Sequence, residues 1–156
     1  MIEQFPLWIQ FFLLSMIPGI ESRFVIPYAM HIYQVPWINV FPIATIGNMI
    51  LVPFGLLFFR RVETFLQQYS WWKRPMDRIF PRIRRRADKK IQRYESMALL
   101  FFVAVPLPFT GAGLGVLIAY LFDLPVRRSL LMIFFGVIIS STITTLVYLS
   151  GQYLFL

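Results

Sequence analysis

The sequence predicts an all-α integral membrane protein built as an inverted repeat. In each half a Pro/Gly-broken re-entrant helical hairpin precedes a transmembrane helix, and a basic amphipathic interfacial segment joins the halves. Three observations predict this. Of the 156 residues, 58% are hydrophobic and 18% aromatic, with a mean hydropathy of +0.69, whereas a soluble domain is about 45–50% apolar. Residues 38–59 and 129–149 carry no charge, and each supplies the ~20 residues needed to cross a ~30 Å hydrocarbon core. Two further apolar stretches are interrupted at corresponding places, the pattern of a transporter site built at a repeat interface.

The first repeat is read as residues 1–59. Its hairpin, 5–33, breaks at Pro18-Gly19-Ile20-Glu21-Ser22-Arg23, with Pro27 just beyond. A helix interior rejects Pro by roughly 3 kcal/mol and Gly by about 1, so no smooth helix is expected through it. The start lacks a basic n-region, Glu3 being its only charge, and is read as mature protein. Pro36 marks a turn, and 38–59 is the first transmembrane helix.

Residues 60–95 form the interfacial segment. They hold 12 of the 15 Lys/Arg and 4 of the 7 acids, which is the whole net charge of +8. Arg82, Arg84, Arg85 and Arg86 interleave with apolar residues and with Trp71 and Trp72, and Pro75 and Pro81 divide the stretch into short pieces. Aromatics at headgroup depth and cations facing anionic lipid fit the bilayer surface. A bare positive-inside topology signal accounts for the same charges. Nucleic acid is not an expected partner, because the bilayer already explains a basic run between spans.

The second repeat, 96–156, follows the same order. Its hairpin, 97–122, breaks at Pro106-Leu107-Pro108-Phe109-Thr110-Gly111-Ala112-Gly113, Pro125 turns the chain, and 129–150 is the second transmembrane helix. Pro36 lies eleven residues before Gly47, as Pro125 does before Gly136. Two topologies compete, and Arg127-Arg128 favours one of them. If both broken segments crossed, this pair would lie opposite the basic segment, against the positive-inside rule. With re-entrant hairpins both basic regions share the cytoplasmic face. Half-segments of ~9 residues reach ~13 Å, about halfway into the core.

Glu21 and Arg23 are the only charges between Gln4 and Arg60. Each costs about 2.5–3.5 kcal/mol at the bilayer centre, so such residues normally face a polar cavity and mark a pathway. Interface anchoring is the plain alternative. Spacing of i, i+2 does not put them on one helix face, so no local salt bridge is expected if the segment is helical. Arg23 would hold an anionic headgroup, and Glu21 would carry a proton or balance the charge.

Pro106, Pro108, Thr110, Gly111, Gly113 and Gly115 form the second tip. Its glycines allow close backbone approach and free N–H groups for an anion, or merely close helix packing. Asn48, in mid-span, should hydrogen-bond across helices or to a re-entrant loop. Ser140, Ser141, Thr142, Thr144 and Thr145 either do the same or bond back to their own helix. His31, near the outer face, reads as an interface residue in preference to a proton relay. With no cysteine and one histidine, no thiolate chemistry or His cluster for a metal is expected, and no cofactor. No nucleotide-binding or hydrolase motif occurs, so no enzymatic activity is expected.

At these residues the sequence resembles the putative small multi-drug export proteins, a prokaryotic membrane family distantly similar to the DedA/VTT superfamily. A Pro-x-x-Glu-x-Arg-x-x-Ile-Pro block matches Pro18, Glu21, Arg23, Ile26 and Pro27. Gly47-Asn48 with Pro53, and Val105 to Ala112 followed by Gly115, match the other blocks. Gly136 and the helix after it also fit. Gly113-Leu114 stands where the family has a Trp-Thr pair, which puts contacts there in doubt. The resemblance implies an amphipathic substrate handled inside the cytoplasmic membrane of a prokaryote, as the lipid-moving relatives do with paired re-entrant hairpins. The expectation is therefore a transporter or flippase for an anionic, lipid-like substrate, with proton coupling through Glu21. Substrate-binding residues would be Glu21, Arg23, Asn48, Pro106, Pro108, Thr110, Gly111 and Gly113. Alternatives are an exporter of lipophilic cations, with Glu21 as counter-ion, and a scaffold that binds anionic lipid through 60–95. One 18.4 kDa protomer encloses little, and a homodimer would complete the enclosure.

Overall fold

In a computed structural model the chain is described at residues 6–66, 69, 89–107 and 111–155. The described residues form six helices and no strand: α1 (Leu7–Met16), α2 (Glu21–Ile32), α3 (Trp37–Leu66), α4 (Lys89–Ala104), α5 (Ala112–Leu121) and α6 (Val126–Phe155). Both breaks fall where the helix breakers stand, between α1 and α2 and between α4 and α5.

The first break is a reversal. Pro18 holds Ile17 extended, at φ −71° and ψ 120°. Gly19 then takes φ +97° and Glu21 φ +50°. Glycine accepts this conformation freely, whereas for Glu21 it is uncommon. The chain doubles back, bringing the Phe11 ring to 5.6 Å from that of Tyr33, just past α2. Twenty-two residues of continuous helix would hold them about 33 Å apart.

Residues from both sides of the second break also meet. A Cβ on Gly115 would lie 2.8 Å from Val103, and one on Gly136 would lie 2.7 Å from Val103 and 3.1 Å from the Leu100 carbonyl. These small residues let α4, α5 and α6 approach closely. Here the packing reading of Gly115 holds.

Helix α3 is the rod along which the halves meet. Asn48, near its middle, reaches Ser22 at the start of α2. Farther along, Gly55 packs on Val116, Phe59 stacks on Tyr120 with centroids 5.4 Å apart, and Arg60 donates to the Leu124 carbonyl at 3.0 Å. So α2 lines the first half of α3 and α5 the second, and both begin at the breaks. The core divides likewise, into one cluster around Phe11, Ile26 and Val40 and another around Leu99, Val103 and Ile133.

Helix α3 runs seven residues beyond Phe59, where the apolar stretch ends. Arg60 and Arg61 halt the hydrophobicity but are good helix formers, and no Gly or Pro follows until beyond Leu66. Helix α4 likewise begins inside 60–95. Trp71, Trp72, Arg82, Arg84, Arg85 and Arg86 lie outside the described residues.

Two helical stretches, Trp37–Val62 and Val126–Gln152, are long and apolar enough to cross a membrane. Their outer faces are bare hydrocarbon: Ile46 is 60% exposed, Phe54 67% and Val147 67%. Apolar faces of this kind would be anomalous on a soluble monomer and suit a bilayer.

Gly47 tests the packing of the first half. A Cβ there would overlap the Ser15 hydroxyl and lie 2.6 Å from the Phe12 carbonyl oxygen. Backbone cannot swing aside, so Gly47→Ala should destabilise by about 1–3 kcal/mol, as overpacking does. Thermal unfolding of the detergent-solubilised protein checks this, and an unchanged midpoint would sink it.

Candidate functional site

The two breaks touch, and their charged residues make the contact. Arg23 Nη1 donates to the carbonyls of Leu107 at 2.8 Å and Val105 at 3.3 Å, just past the end of α4. Its Nη2 donates to Glu21 Oε2 at 3.2 Å. The Glu21 carboxylate in turn occupies the space where a Cβ on Gly111 would stand. Gly111 caps the N-terminus of α5. The cation therefore sits by carbonyls at one helix's C-terminus and the anion by another's N-terminus, the arrangement helix dipoles favour by about 0.3–1 kcal/mol each. Glu21 is 6% exposed and Arg23 7%.

This corrects the expectation that i, i+2 spacing forbids a local salt bridge. The rule holds inside a helix, but Glu21 opens α2 with φ +50°. That conformation turns its side chain off the helical path and back toward Arg23.

Beside the pair lies a cleft of about 330 Å³. It is walled by Met16 and Pro18 at the first break, by Asn48, Leu51, Val52, Gly55 and Phe59 of α3, and by Ala112, Gly113 and Val116 of α5. Among the described residues, Glu21 is the one charged side chain on its wall. Arg23 borders a gap of about 10 Å³, shared with Gly19, Glu21, Phe24, Leu107 and Gly111. From Glu21 the cleft extends along the second half of α3 toward Phe59 and Tyr120.

Where the cleft wall reaches Asn48 the surroundings turn polar. Asn48 Nδ2 donates to Ser22 Oγ at 3.2 Å, and Ser22 Oγ lies 2.8 Å from Ser141 Oγ of α6. Asn48 thus bonds across helices, as its position in mid-span requires. Thr142, Thr144 and Thr145 bond back to carbonyls four residues earlier, so four of the five divide between the two expected behaviours, while the Ser140 hydroxyl has no partner among the described residues.

Of the residues singled out from sequence, Glu21, Arg23, Asn48, Gly111 and Gly113 lie together. Gly113 belongs to the first turn of α5. Pro106 is exposed in the loop between the two carbonyls that hold Arg23. Pro108 and Thr110 lie outside the described residues. Sequence reasoning missed Ser22, although it stands between the two charges, and missed Gly55, Phe59 and Val116, whose apolar character gives no signal among so many others.

Among known proteins, a family model described as putative small multi-drug export protein matches residues 21–143. The matched stretch begins at Glu21 and takes in the second break. No curated protein and no solved structure matches.

Proposed function

The chain belongs to the putative small multi-drug export protein family, and we propose that it exports lipophilic cations held in the α3–α5 cleft with Glu21 as their counter-ion. One observation carries this choice over an anionic substrate. Among the described residues, Glu21 is the charged side chain on the wall of the cleft, while the Arg23 donors are engaged by Glu21 and two carbonyls. A cleft walled by Leu51, Val52, Val116 and Phe59 suits the substrate's apolar body. A proton competing for Glu21 would release the cation and couple export to the proton gradient.

In this reading the protein lies in the cytoplasmic membrane with α3 and α6 spanning it and each broken segment entering and leaving on one face. Doubling back of α1 on α2 supports this. So does the Arg60 contact with Leu124 and Asp123, which brings the end of α3 to the start of α6, where Arg127 and Arg128 stand. Positive-inside bias makes that face cytoplasmic.

Tetraphenylphosphonium binding to the solubilised protein tests the site. Glu21→Gln should weaken it at least tenfold, and undiminished affinity would refute the counter-ion role. The anionic, lipid-like substrate remains a second reading, favoured by Arg23 and the α5 N-terminus beside it. There a headgroup phosphate would replace the Glu21 carboxylate, so Glu21→Gln would tighten binding of a phosphatidic acid probe and Arg23→Gln would abolish it.

A further inference from the structure

We propose that a hydrated hydroxyl path along α6 carries the exchanging proton between Glu21 and the face of the α2–α3 turn. This rests on the reading of Glu21 as the site where proton and cation compete. The apolar cleft leaves Glu21 in one direction, along the second half of α3. In the other direction the helix interface is lined with hydroxyls. Ser22, next to Glu21 in the chain, contacts both Asn48 and Ser141. One turn along α6 from Ser141, Thr145 donates to the Ser141 carbonyl at 2.7 Å. Less than a turn farther, the Tyr148 hydroxyl lies 3.3 Å from His31 Nδ1 and accepts from Gln152 at 3.1 Å. His31 and Gln152 are exposed.

Two buried hydroxyls adjoining residues of this route mark places for water. Thr45 Oγ1, one turn of α3 from Asn48, and Ser140 Oγ, beside Ser141, have no hydrogen-bond partner among the described residues. Their residues are 6% and 1% exposed. An unsatisfied buried hydroxyl costs about 1–3 kcal/mol, and a water bonded to it offsets that cost. The other buried threonine of the stripe, Thr145, satisfies its hydroxyl on its own helix, so the open pair is not simply what buried hydroxyls do here.

The transfer balances without an oxidant or reductant. A proton entering at the His31–Tyr148 end binds an oxygen lone pair of the first water or hydroxyl. That group passes on its own proton, and the last O–H bond formed is on a Glu21 carboxylate oxygen. Each relay oxygen ends as it began. Among the described residues, Glu21 is faced by the Arg23 cation from α2, by uncharged Asn48 from α3, and by the Gly111 backbone at the start of α5. The proton and the substrate thereby reach one carboxylate from opposite sides.

The test uses full-length protein in proteoliposomes, with tetraphenylphosphonium as the probe and an imposed pH gradient as the drive. Ser141→Ala combined with Thr145→Val should leave equilibrium tetraphenylphosphonium affinity at the wild-type value and slow pH-driven exchange at least tenfold. Thr145→Ser, which keeps the hydroxyl, should exchange faster than Thr145→Val. That single-residue comparison keeps the test decisive if the double variant fails to fold. Wild-type exchange in the double variant, or in Thr145→Val, with binding still dependent on Glu21, would overturn the path alone. Binding indifferent to Glu21→Gln would overturn the counter-ion reading and the path with it.

Discussion

Arg23→Ala should be among the most destabilising single substitutions in the chain. It removes the partner of a carboxylate that is 6% exposed and strips a donor from the Val105 and Leu107 carbonyls. Breaking a buried ion pair from one side costs about 3–5 kcal/mol, because the remaining charge stays buried without compensation. The measurement is denaturant or thermal unfolding in detergent. It is sharpened by a double-mutant cycle with Glu21→Gln, which removes the stranded charge. The double variant should therefore recover much of the loss. If Arg23→Ala alone cost under about 1 kcal/mol, as exposed pairs do, the pair would not be joining the two breaks.

Gly111→Ala should do comparable harm by a different route. At φ −99° and ψ −161° the backbone there suits any residue, so conformation is not the obstacle. The obstacle is space, since the added methyl would stand where the Glu21 carboxylate stands. Either the carboxylate leaves Arg23 or the start of α5 moves away from α2. We expect at least the 1–3 kcal/mol of overpacking, together with at least tenfold weaker tetraphenylphosphonium binding. Gly113→Ala is the control two residues on. Among the described residues its Cβ would meet only Pro18, at 3.9 Å, so stability should hold within about 0.5 kcal/mol, as surface changes do. Equal effects of the two substitutions would show that glycine matters here for reasons other than room for Glu21.

These two residues mark where sequence reasoning reached and where it stopped. Pro18-Gly19 and the 106–113 run were legible as breaks because Pro and Gly act locally, through φ and a missing N–H. The two spans were legible from length and lack of charge, and Asn48 from the cost of an amide in mid-membrane. The nesting of Glu21 against Gly111 joins residues 90 positions apart, which no local pattern encodes. The ion pair was hidden because it needs Glu21 at positive φ, a conformation that a non-glycine residue seldom takes. The continuation of α3 past its apolar stretch was not legible, because charge limits hydrophobicity and not helix formation.

That a single carboxylate lines the cleft among the described residues also bears on an electrical property of the proposed exchange. One carboxylate holds one proton or one positive charge, so each protomer can trade one proton for one monovalent cation and move no net charge. Membrane voltage would then neither drive nor oppose the cycle. A difference of one pH unit, about 1.36 kcal/mol, would set at most a tenfold cation ratio. A dication leaving in exchange for one proton would carry a charge outward against an inside-negative potential, at about 2.3 kcal/mol per 100 mV. The number of acids in the cleft thus selects the valence of what can be expelled.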